Sequence, residues 1–508
     1  MGIGNIIRLA AKEWKPDLPS VGSGFSTTVL NVLPRTPDTY GPFPNFAAYA
    51  SAPLAARCQG AISVLDSGGA VNTFAGTASK LYQMTVAGTT FSDVSIAANY
   101  TVGSDESWHF CLYGDRVIAT QPGDAVQSFV MGTSTLFANL AAAAPKARYC
   151  DVIKGWLFLA NTIDATDGSV PWRVWWSAYN DPTSWPTPGT AAAAAAQSDY
   201  TDLVGEGGWI QGIVGNLGTA DGAVFMEHAV WRINYSGPPT VFTFSPAEGV
   251  QGTPAPGSIV HLGALVYYLG EDGFYVFDGS VSLPIGADKV DRTFFADFDL
   301  AYSDRMVGAV DPLNKMILWA YPGSGHTQGN PNRIIVYNWF TKTWAIANME
   351  TEIIFRSLSF GYSLDGLDAV SSSLDALAFS LDSRVWTGGN LLLAGFNLNH
   401  TMGYFSGSAL APTVDTEEIQ PFTGQRTFCR NARPIVDTTT ATPSVALGMR
   451  TTSESTVTYN TPTAMNSLGW CPQRGNAQYM RARITLPAAS TFTHIQGVEL
   501  DGDPAGHR

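Results

Sequence analysis

Charge is what this chain has least of. Only 14% of its 508 residues are Asp, Glu, Lys or Arg, against roughly 25% in an ordinary globular domain, so much of its surface is neutral, polar or apolar. Such a surface suits a subunit buried in an assembly, and equally a secreted β protein with a Ser/Thr-rich exterior. Basic residues are the scarcer sign, 28 against 42 acidic, for a formal net charge of −14. That balance argues against a sequence-independent nucleic-acid binder, which needs Lys and Arg to neutralise phosphates. It leaves room for a passage for DNA, because an acidic wall repels the polymer and keeps it from sticking. The imbalance is local: residues 401–508 carry eight Arg, no Lys and eight acids, so the whole deficit lies in residues 1–400, with 20 basic and 34 acidic residues.

Cysteine is equally sparse. Cys58, Cys111, Cys150, Cys429 and Cys471 are odd in number, widely spaced and never arranged as C-x-x-C, which points away from a disulfide framework or a zinc site and toward assembly in a reducing compartment. No run approaches the ~18 apolar residues of a membrane span, so no membrane insertion is expected. The start, Met1 to Arg8, lacks the apolar stretch and cleavage site of a signal peptide, and Ile6 stands where a myristoylation motif needs Ser or Thr. The expectation is a protein made in the cytoplasm.

What the chain does have is turns. It contains 51 Gly and 30 Pro, yet hydrophobic residues reach 45% and aromatics 12%, the composition of a folded protein built from many short strands. Residues 1–60 read as an N-terminal extended arm: a short helix from Asn5 to Trp14, then Pro16, Pro19, Pro34, Pro37, Pro42 and Pro44, too many prolines for a regular element. Such an arm clasps a neighbour or packs on its own domain.

From residue 61 to 400 one pattern recurs, a β-rich run, a Gly/Asp/Asn turn and a second β-rich run. The clearest copy is Ala264 to Leu269, then Gly270-Glu271-Asp272-Gly273, then Phe274 to Phe277, a hairpin by the Asp-Gly turn rule. Looser copies pair Trp108–Leu112 with Arg116–Ala119, Gly155–Ala160 with Trp172–Trp176, Ala223–Met226 with Val230–Ile233, and Met316–Tyr321 with Arg333–Tyr337. The flanking candidates pair Val71–Phe74 with Lys80–Met84 and Leu377–Leu381 with Val385-Trp386. Roughly seven units at a spacing near 50 residues are what β-propeller blades show, since a blade cannot bury both faces alone and must stack radially on its neighbours. A pair of sandwiches would use the same hairpins but has no reason to keep the beat. The predicted fold is therefore all-β: the arm (1–60), a β-propeller-like body of about six to seven blades (61–400) and a C-terminal β-rich, sandwich-like region (401–508). That last region has strands at Ala446–Arg450, Thr456–Tyr459, Tyr479–Leu486 and Thr491–Leu500, and either packs on the propeller or returns to close the ring. Pro182 to Pro188 with Ala191–Ala196 reads as a surface loop because nothing in it is amphipathic, and Tyr362–Leu374 as a second loop.

Chemistry-bearing patterns are incomplete. The histidines at 109, 228, 261, 326, 400, 494 and 507 never pair at a zinc-ligand spacing and read as surface or strand residues. Gly361-Tyr362-Ser363-Leu364-Asp365 begins like a nucleophile elbow but ends in Asp where Gly is required. Gly323-Ser324-Gly325-His326-Thr327-Gln328-Gly329 lacks the Gly-Lys-Thr/Ser ending of a phosphate loop and reads as a hairpin loop. Asp164-Ala165-Thr166-Asp167-Gly168 lacks the further oxygen ligands of a calcium loop, so turn chemistry explains it. Glu227, Glu271, Asp272 and Asp297 are acids of the kind propeller hydrolases gather at the central mouth, without a distinguishing context. Ser380-Leu381-Asp382 approaches a sialidase Asp-box, but Arg384 replaces its Gly and Trp386 comes one residue early. The aromatics could stack on sugars, though at strand ends they pack between blades. No residue is assigned a catalytic, cofactor-binding or metal-binding role, and no cofactor is expected.

A resemblance adds to this. Asn31-Val32-Leu33-Pro34-Arg35, Tyr40-Gly41-Pro42-Phe43-Pro44, Phe74-Ala75-Gly76 and Asp272-Gly273-Phe274-Tyr275-Val276-Phe277-Asp278-Gly279 resemble the tail nozzle, or packaged-DNA stabilisation, proteins of short-tailed bacteriophages. Tyr479-Met480-Arg481-Ala482-Arg483-Ile484 and Phe492-Thr493-His494-Ile495-Gln496-Gly497-Val498 look like the closing strands of such virion proteins. The resemblance implies a non-enzymatic virion tail protein bearing a β-propeller, a subunit of a homo-oligomeric, six-fold ring. Its partners would be the portal and adaptor above and tail fibre or spike proteins beside it, and DNA would be held behind the ring and leave through it. The alternative is a carbohydrate-binding or glycan-cleaving propeller.

Overall fold

The computed structural model describes residues 5–506 apart from 23, 86–88, 97–98, 250, 363–366, 368–369, 372, 374–376, 378 and 439–440. Seven four-stranded antiparallel blades follow one another along the chain and close into a propeller; six are separate sheets, and the sixth blade is part of a larger sheet. Blade one is Gly60–Leu65, Val71–Gly76, Leu81–Thr85 and Ser92–Asp93; blade two is His109–Tyr113, Arg116–Thr120, Gln127–Val130 and Ala138–Asn139. Blade three is Lys146–Ile153, Trp156–Asp164, Gly168–Trp176 and Asp199–Asp202; blade four is Ile210–Gly215, Gly222–Met226, Val230–Tyr235 and Phe242–Glu248. Blade five is Val260–Leu262, Leu265–Leu269, Phe274–Phe277 and Ser282–Pro284, and blade six is Val307–Asp311, Met316–Tyr321, Arg333–Asn338 and Thr343–Asn348. Blade seven takes three strands in sequence, Ile353–Leu358, Leu391–Phe396 and Met402–Ala409, and its fourth, Pro44–Ala48, from the arm.

The first strands of blades one to four run beside one another around the axis, as do those of blades five to seven, and that of blade seven lies against that of blade one. The ring is thus closed by a strand from the far end of the sequence, and not by a returning C-terminal strand as the sequence left open. Because each sheet buries both faces, second strands of the blades are buried throughout, as in Val71–Gly76, Gly222–Met226 and Met316–Tyr321, and the last two are apolar along their whole length. Indole N–H groups stitch blade to blade, with Trp108 Nε1 donating to Thr77 O at 2.8 Å and Trp319 Nε1 to Ser258 O at 2.8 Å. These aromatics pack between blades, Trp108 from the entry to its strand and Trp319 from mid-strand.

Six of the seven hairpins expected from the sequence are strand pairs of consecutive blades. The seventh is not. The described residues of 377–386 form bends and turns that bury Trp386 among Tyr49, Tyr362 and Phe379, and blade seven takes Leu391–Phe396 instead.

The arm is extended, but its first element is a strand and not a helix. Asn5–Ala10 pairs with Gly497–Gly502, and Ile7 and Leu9, two residues apart, turn to the core, a period that fits a strand. The arm then lends Val32–Thr36 and Thr39–Pro42 to the same sheet, ordered with Phe492–Pro504, Thr427–Thr438 and Cys471–Ala477. A second sheet of Thr413–Asp415, Tyr479–Thr485, Ser444–Arg450, Thr458–Tyr459 and Thr463–Ala464 packs on it to complete a C-terminal sandwich. Between this sheet and the propeller lies Val29–Leu30, antiparallel to Val414 and Thr413 on one side and parallel to Thr343–Asn348 of blade six through Leu30 and Ile346. One ten-stranded sheet therefore runs from propeller to sandwich. Of the two roles open to the arm, packing on its own chain is the one residues 5–48 fill.

Ala191–Ala196, read as loop, is a helix. Alanine has the highest helix propensity, Thr190 Oγ1 accepts from Ala193 N at 3.2 Å at the start, and Gln197 ends it in the left-handed region. Amphipathicity was the wrong criterion for a six-residue surface turn with one buried residue, Ala193.

Candidate functional site

At one end of the propeller axis the segments leading into the first strands converge on two adjoining recesses of about 250 and 370 Å³. All seven blades contribute: Arg57 and Gln59 before blade one, Glu106 before blade two, Arg148 and Tyr149 in blade three, Trp209 and Gln211 at blade four, Pro256 before blade five, Asp304 and Arg305 before blade six, and Glu352 before blade seven.

The polar groups are paired. Glu106 meets Arg148 at 3.2 Å, and Gln59 Nε2 donates to Gly103 O at 2.7 Å and Glu106 O at 2.8 Å. Glu352 accepts from Cys58 N at 2.9 Å and contacts His400 Nδ1 at 2.5 Å. Burial raises its carboxyl above the ordinary Glu value, with Cys58 and His400 opposing. Asp304, 3.1 Å from Arg305, is likewise raised by burial, and Arg57 is pushed down to about 10 by burial and by the neighbouring Arg305. Glu227 accepts from Trp209 N at 3.0 Å and Gln211 Nε2 at 3.3 Å. The result is a recess of mixed charge whose carboxylates are held by Arg, His or amide donors, suited to gripping a polar ligand of small-molecule size.

The acids singled out from sequence disperse. Glu227 reaches the mouth; Glu271 pairs with the exposed His228; Asp272 accepts from Tyr275 OH at 2.8 Å; Asp297 accepts from Tyr321 OH at 3.1 Å and Ser324 N at 3.0 Å. Residues 323–329 join two strands of blade six, as read. Asp164 closes the turn before Gly168 through Thr166 N and Asp167 N, both 2.8 Å, and Asp164, Asp167 and Asp202 all hold Arg173. Their carboxylates thus face a guanidinium. Asp382 lies in a turn; Ser363 to Asp365 of the elbow-like stretch lie outside the described residues.

The histidines divide. His228, His261, His326 and His494 contact Glu271, Gly263 O, Asp299 and Thr39, whereas His109 lines the mouth and His400 holds one of its carboxylates. His507 is outside the described residues. Among the described residues no three His, Cys, Asp or Glu gather as a metal site, and no helix is long and apolar enough to cross a membrane. The sequence reading missed Arg57, Glu106, Asp304 and Glu352, because its hairpins were anchored on the second and third strands of most blades. Registering the repeat on first strands would have aligned the entry residues.

No protein-family model and no curated protein sequence matches the chain. Among solved structures it is similar to the computationally designed Ika8 protein, at 8% identity and TM-score 0.34 over 70% of this chain and 98% of that one. It is also similar to YCF48 bound to D1 peptide, at 10% identity and TM-score 0.35 over 71% of this chain and 97% of that one.

Proposed function

We propose that this chain is a structural, non-enzymatic component of a short-tailed bacteriophage tail, one subunit of a six-fold ring or nozzle below the portal and adaptor, where packaged DNA is retained and then ejected. The observation that carries the reading is the ten-stranded sheet running through blade six, the arm and the sandwich, joined to the sequence resemblance. Such a sheet transmits force between two bodies without a hinge, as a subunit under the pressure of packed DNA requires. The axial recess has small-molecule dimensions, so the passage for DNA lies between copies, and the acidic balance of residues 1–400 keeps DNA from adhering there. Quantitative protein analysis of purified particles tests this. The chain in a fixed, ring-like copy number, with the portal and adaptor cross-linked to it, is the expected result; its absence from particles contradicts the proposal.

A second reading has its own observation. Trp209 is 53% exposed at the mouth beside Glu227, an aromatic face next to hydrogen-bonding groups of the kind that stacks on a sugar ring. Glycan binding by the isolated chain that disappears in Trp209→Ala favours that reading, and no binding across a broad glycan set counts against it.

A further inference from the structure

The 250 Å³ recess changes character along its depth. Its charged lining stands just before the first strands of the blades: Arg57 precedes Gly60–Leu65, Glu106 precedes His109–Tyr113, Asp304 and Arg305 precede Val307–Asp311, and Glu352 precedes Ile353–Leu358. Its apolar lining lies on those strands, with half-buried Ile62, Phe110 and Val307 and buried Phe355, joined by Ile259 one residue before the first strand of blade five. Since the chain enters these strands from the mouth, charge gathers at the mouth and hydrocarbon lies below it. From Glu352 to Phe355 is about 10 Å of extended chain, so the apolar part has the depth of a short hydrocarbon tail.

The mouth of this recess holds three carboxylates and two guanidinium groups, and the sign of a bound head group depends on which of them still have bonds to make. Glu106 accepts from Arg148 Nη2 at 3.2 Å through Oε1 and from Gly103 N at 3.1 Å through Oε2. Glu352 accepts from Cys58 N at 2.9 Å through Oε2 and contacts His400 Nδ1 at 2.5 Å through Oε1. Both oxygens of both acids are therefore engaged, and Asp304 accepts from Arg305 Nε at 3.1 Å. The guanidinium groups, with five N–H donors each, are underused. Among the described residues Arg57 donates through Nη2 alone, to Ser104 O at 3.0 Å, and Arg305 through Nε alone. Burial, and then the charge of Arg305, lower Arg57, so the two cations repel each other and an anion held by both relieves the repulsion.

We propose that this recess binds a small amphiphile with a carboxylate head and an unbranched hydrocarbon tail, the head on Arg57 and Arg305 and the tail along Ile62, Phe110, Ile259, Val307 and Phe355. A carboxylate offers two coplanar oxygens that match the N–H fork of a guanidinium. The tail supplies the affinity, since each methylene it buries favours binding whereas a bare carboxylate is as well solvated in water. A sugar has no such tail, and Trp209, the aromatic face suited to one, lines the neighbouring recess. The site is independent of the assembly in which the chain takes part.

The test is isothermal titration calorimetry of the full-length chain at pH 7 with octanoate, octylammonium and acetate. Octanoate should bind one to one with a dissociation constant of about 1 mM or below. Octylammonium, with the same tail and the opposite head, and acetate, with the same head and no tail, should each bind at least about tenfold more weakly. Arg57→Met and Arg305→Met should each weaken octanoate about tenfold. Arg433→Met, which removes a guanidinium stacked 4.2 Å over Trp470 on the sandwich, should leave it unchanged. The comparison of the three probes uses the unaltered protein and stands whether or not the variants fold. No saturable octanoate binding up to about 10 mM, octylammonium binding as tightly as octanoate, or unchanged octanoate affinity in folded Arg57→Met and Arg305→Met overturns the proposal.

Discussion

Arg173 is 6% exposed in blade three, stacked 3.9 Å over the Tyr200 ring and surrounded by Asp202 at 2.6 Å, Asp167 at 2.6 Å and Asp164 at 3.0 Å. Removing it leaves three carboxylates facing one another with no cation, and breaking a buried ion pair from one side costs several kcal/mol. Two of the three acids are partly solvated, which discounts the figure. Arg173→Ala should lower stability by about 2–4 kcal/mol in urea denaturation; a change within ~0.5 kcal/mol would mean the cluster is only a surface network. Asp291 acts in the opposite direction. Burial, with Asp17, Asp272 and Asp288 nearby, pushes its carboxyl up to about 7 despite the hydrogen bond from Phe274 N at 3.2 Å. A group that holds its proton more tightly when folded stabilises the protonated fold. Its contribution is complete below about pH 4, the unfolded value, and is lost as pH rises through 7. Relative to Asp291→Asn, which keeps the acceptor for Phe274, the unaltered protein should lose about 2–4 kcal/mol between pH 4 and pH 8. Parallel pH–stability curves for the two proteins would refute this assignment. At this scale the sequence was readable where a residue acts on its neighbours, as in the Asp164–Gly168 turn. It was silent where partners are distant: Asp17 caps the helix at Arg292 N and Thr293 N, both 2.8 Å away across more than 270 residues.

Strands were legible because periodicity and turn chemistry are local properties. The hairpin at Leu265–Phe277 needs only its own Asp-Gly turn and apolar runs, and six of the seven hairpins fell on real strand pairs for that reason. Blade seven was not legible, since its fourth strand is Pro44–Ala48, paired to Met402–Ala409 from the other end of the propeller, and no window of sequence contains both. Two glycines show how tightly such seams are closed. A Cβ on Gly403 would lie 2.2 Å from the Ala47 carbonyl oxygen, and one on Gly76 would lie 2.2 Å from the Trp108 ring. Neither neighbour can retreat, because one is a paired strand and the other an indole fixed by its bond to Thr77. Gly403→Val and Gly76→Ala should each cost about 1–3 kcal/mol. Limited proteolysis should separate them: Gly403→Val exposes the chain near residues 44–48 to cleavage, while Gly76→Ala leaves that region protected. Equal protection in both would show that the arm strand does not depend on this contact.

The molecule as a whole is held by its first fifty residues. Asn5–Ala10, Val32–Thr36 and Thr39–Pro42 belong to the sandwich, Val29–Leu30 bridges it to blade six, and Pro44–Ala48 closes the propeller. Arm, propeller and sandwich were each foreseeable from the prolines, the repeated hairpins and the change in composition after residue 400, but their union was not, because the segment that read as an extended arm is shared by both bodies. A chain lacking residues 1–48 should lose the single cooperative transition expected of one fused body and unfold at a markedly lower temperature in calorimetry. An unchanged transition would make the arm dispensable. The central claim is that this fused body is a ring subunit of a virion tail. The most direct measurement is electron microscopy of purified particles carrying the chain. The account predicts a closed ring on the tail axis in which every copy fits the propeller and sandwich together as one rigid density. Particles that lack the chain, or carry it only as a detachable tip off the axis, would contradict it.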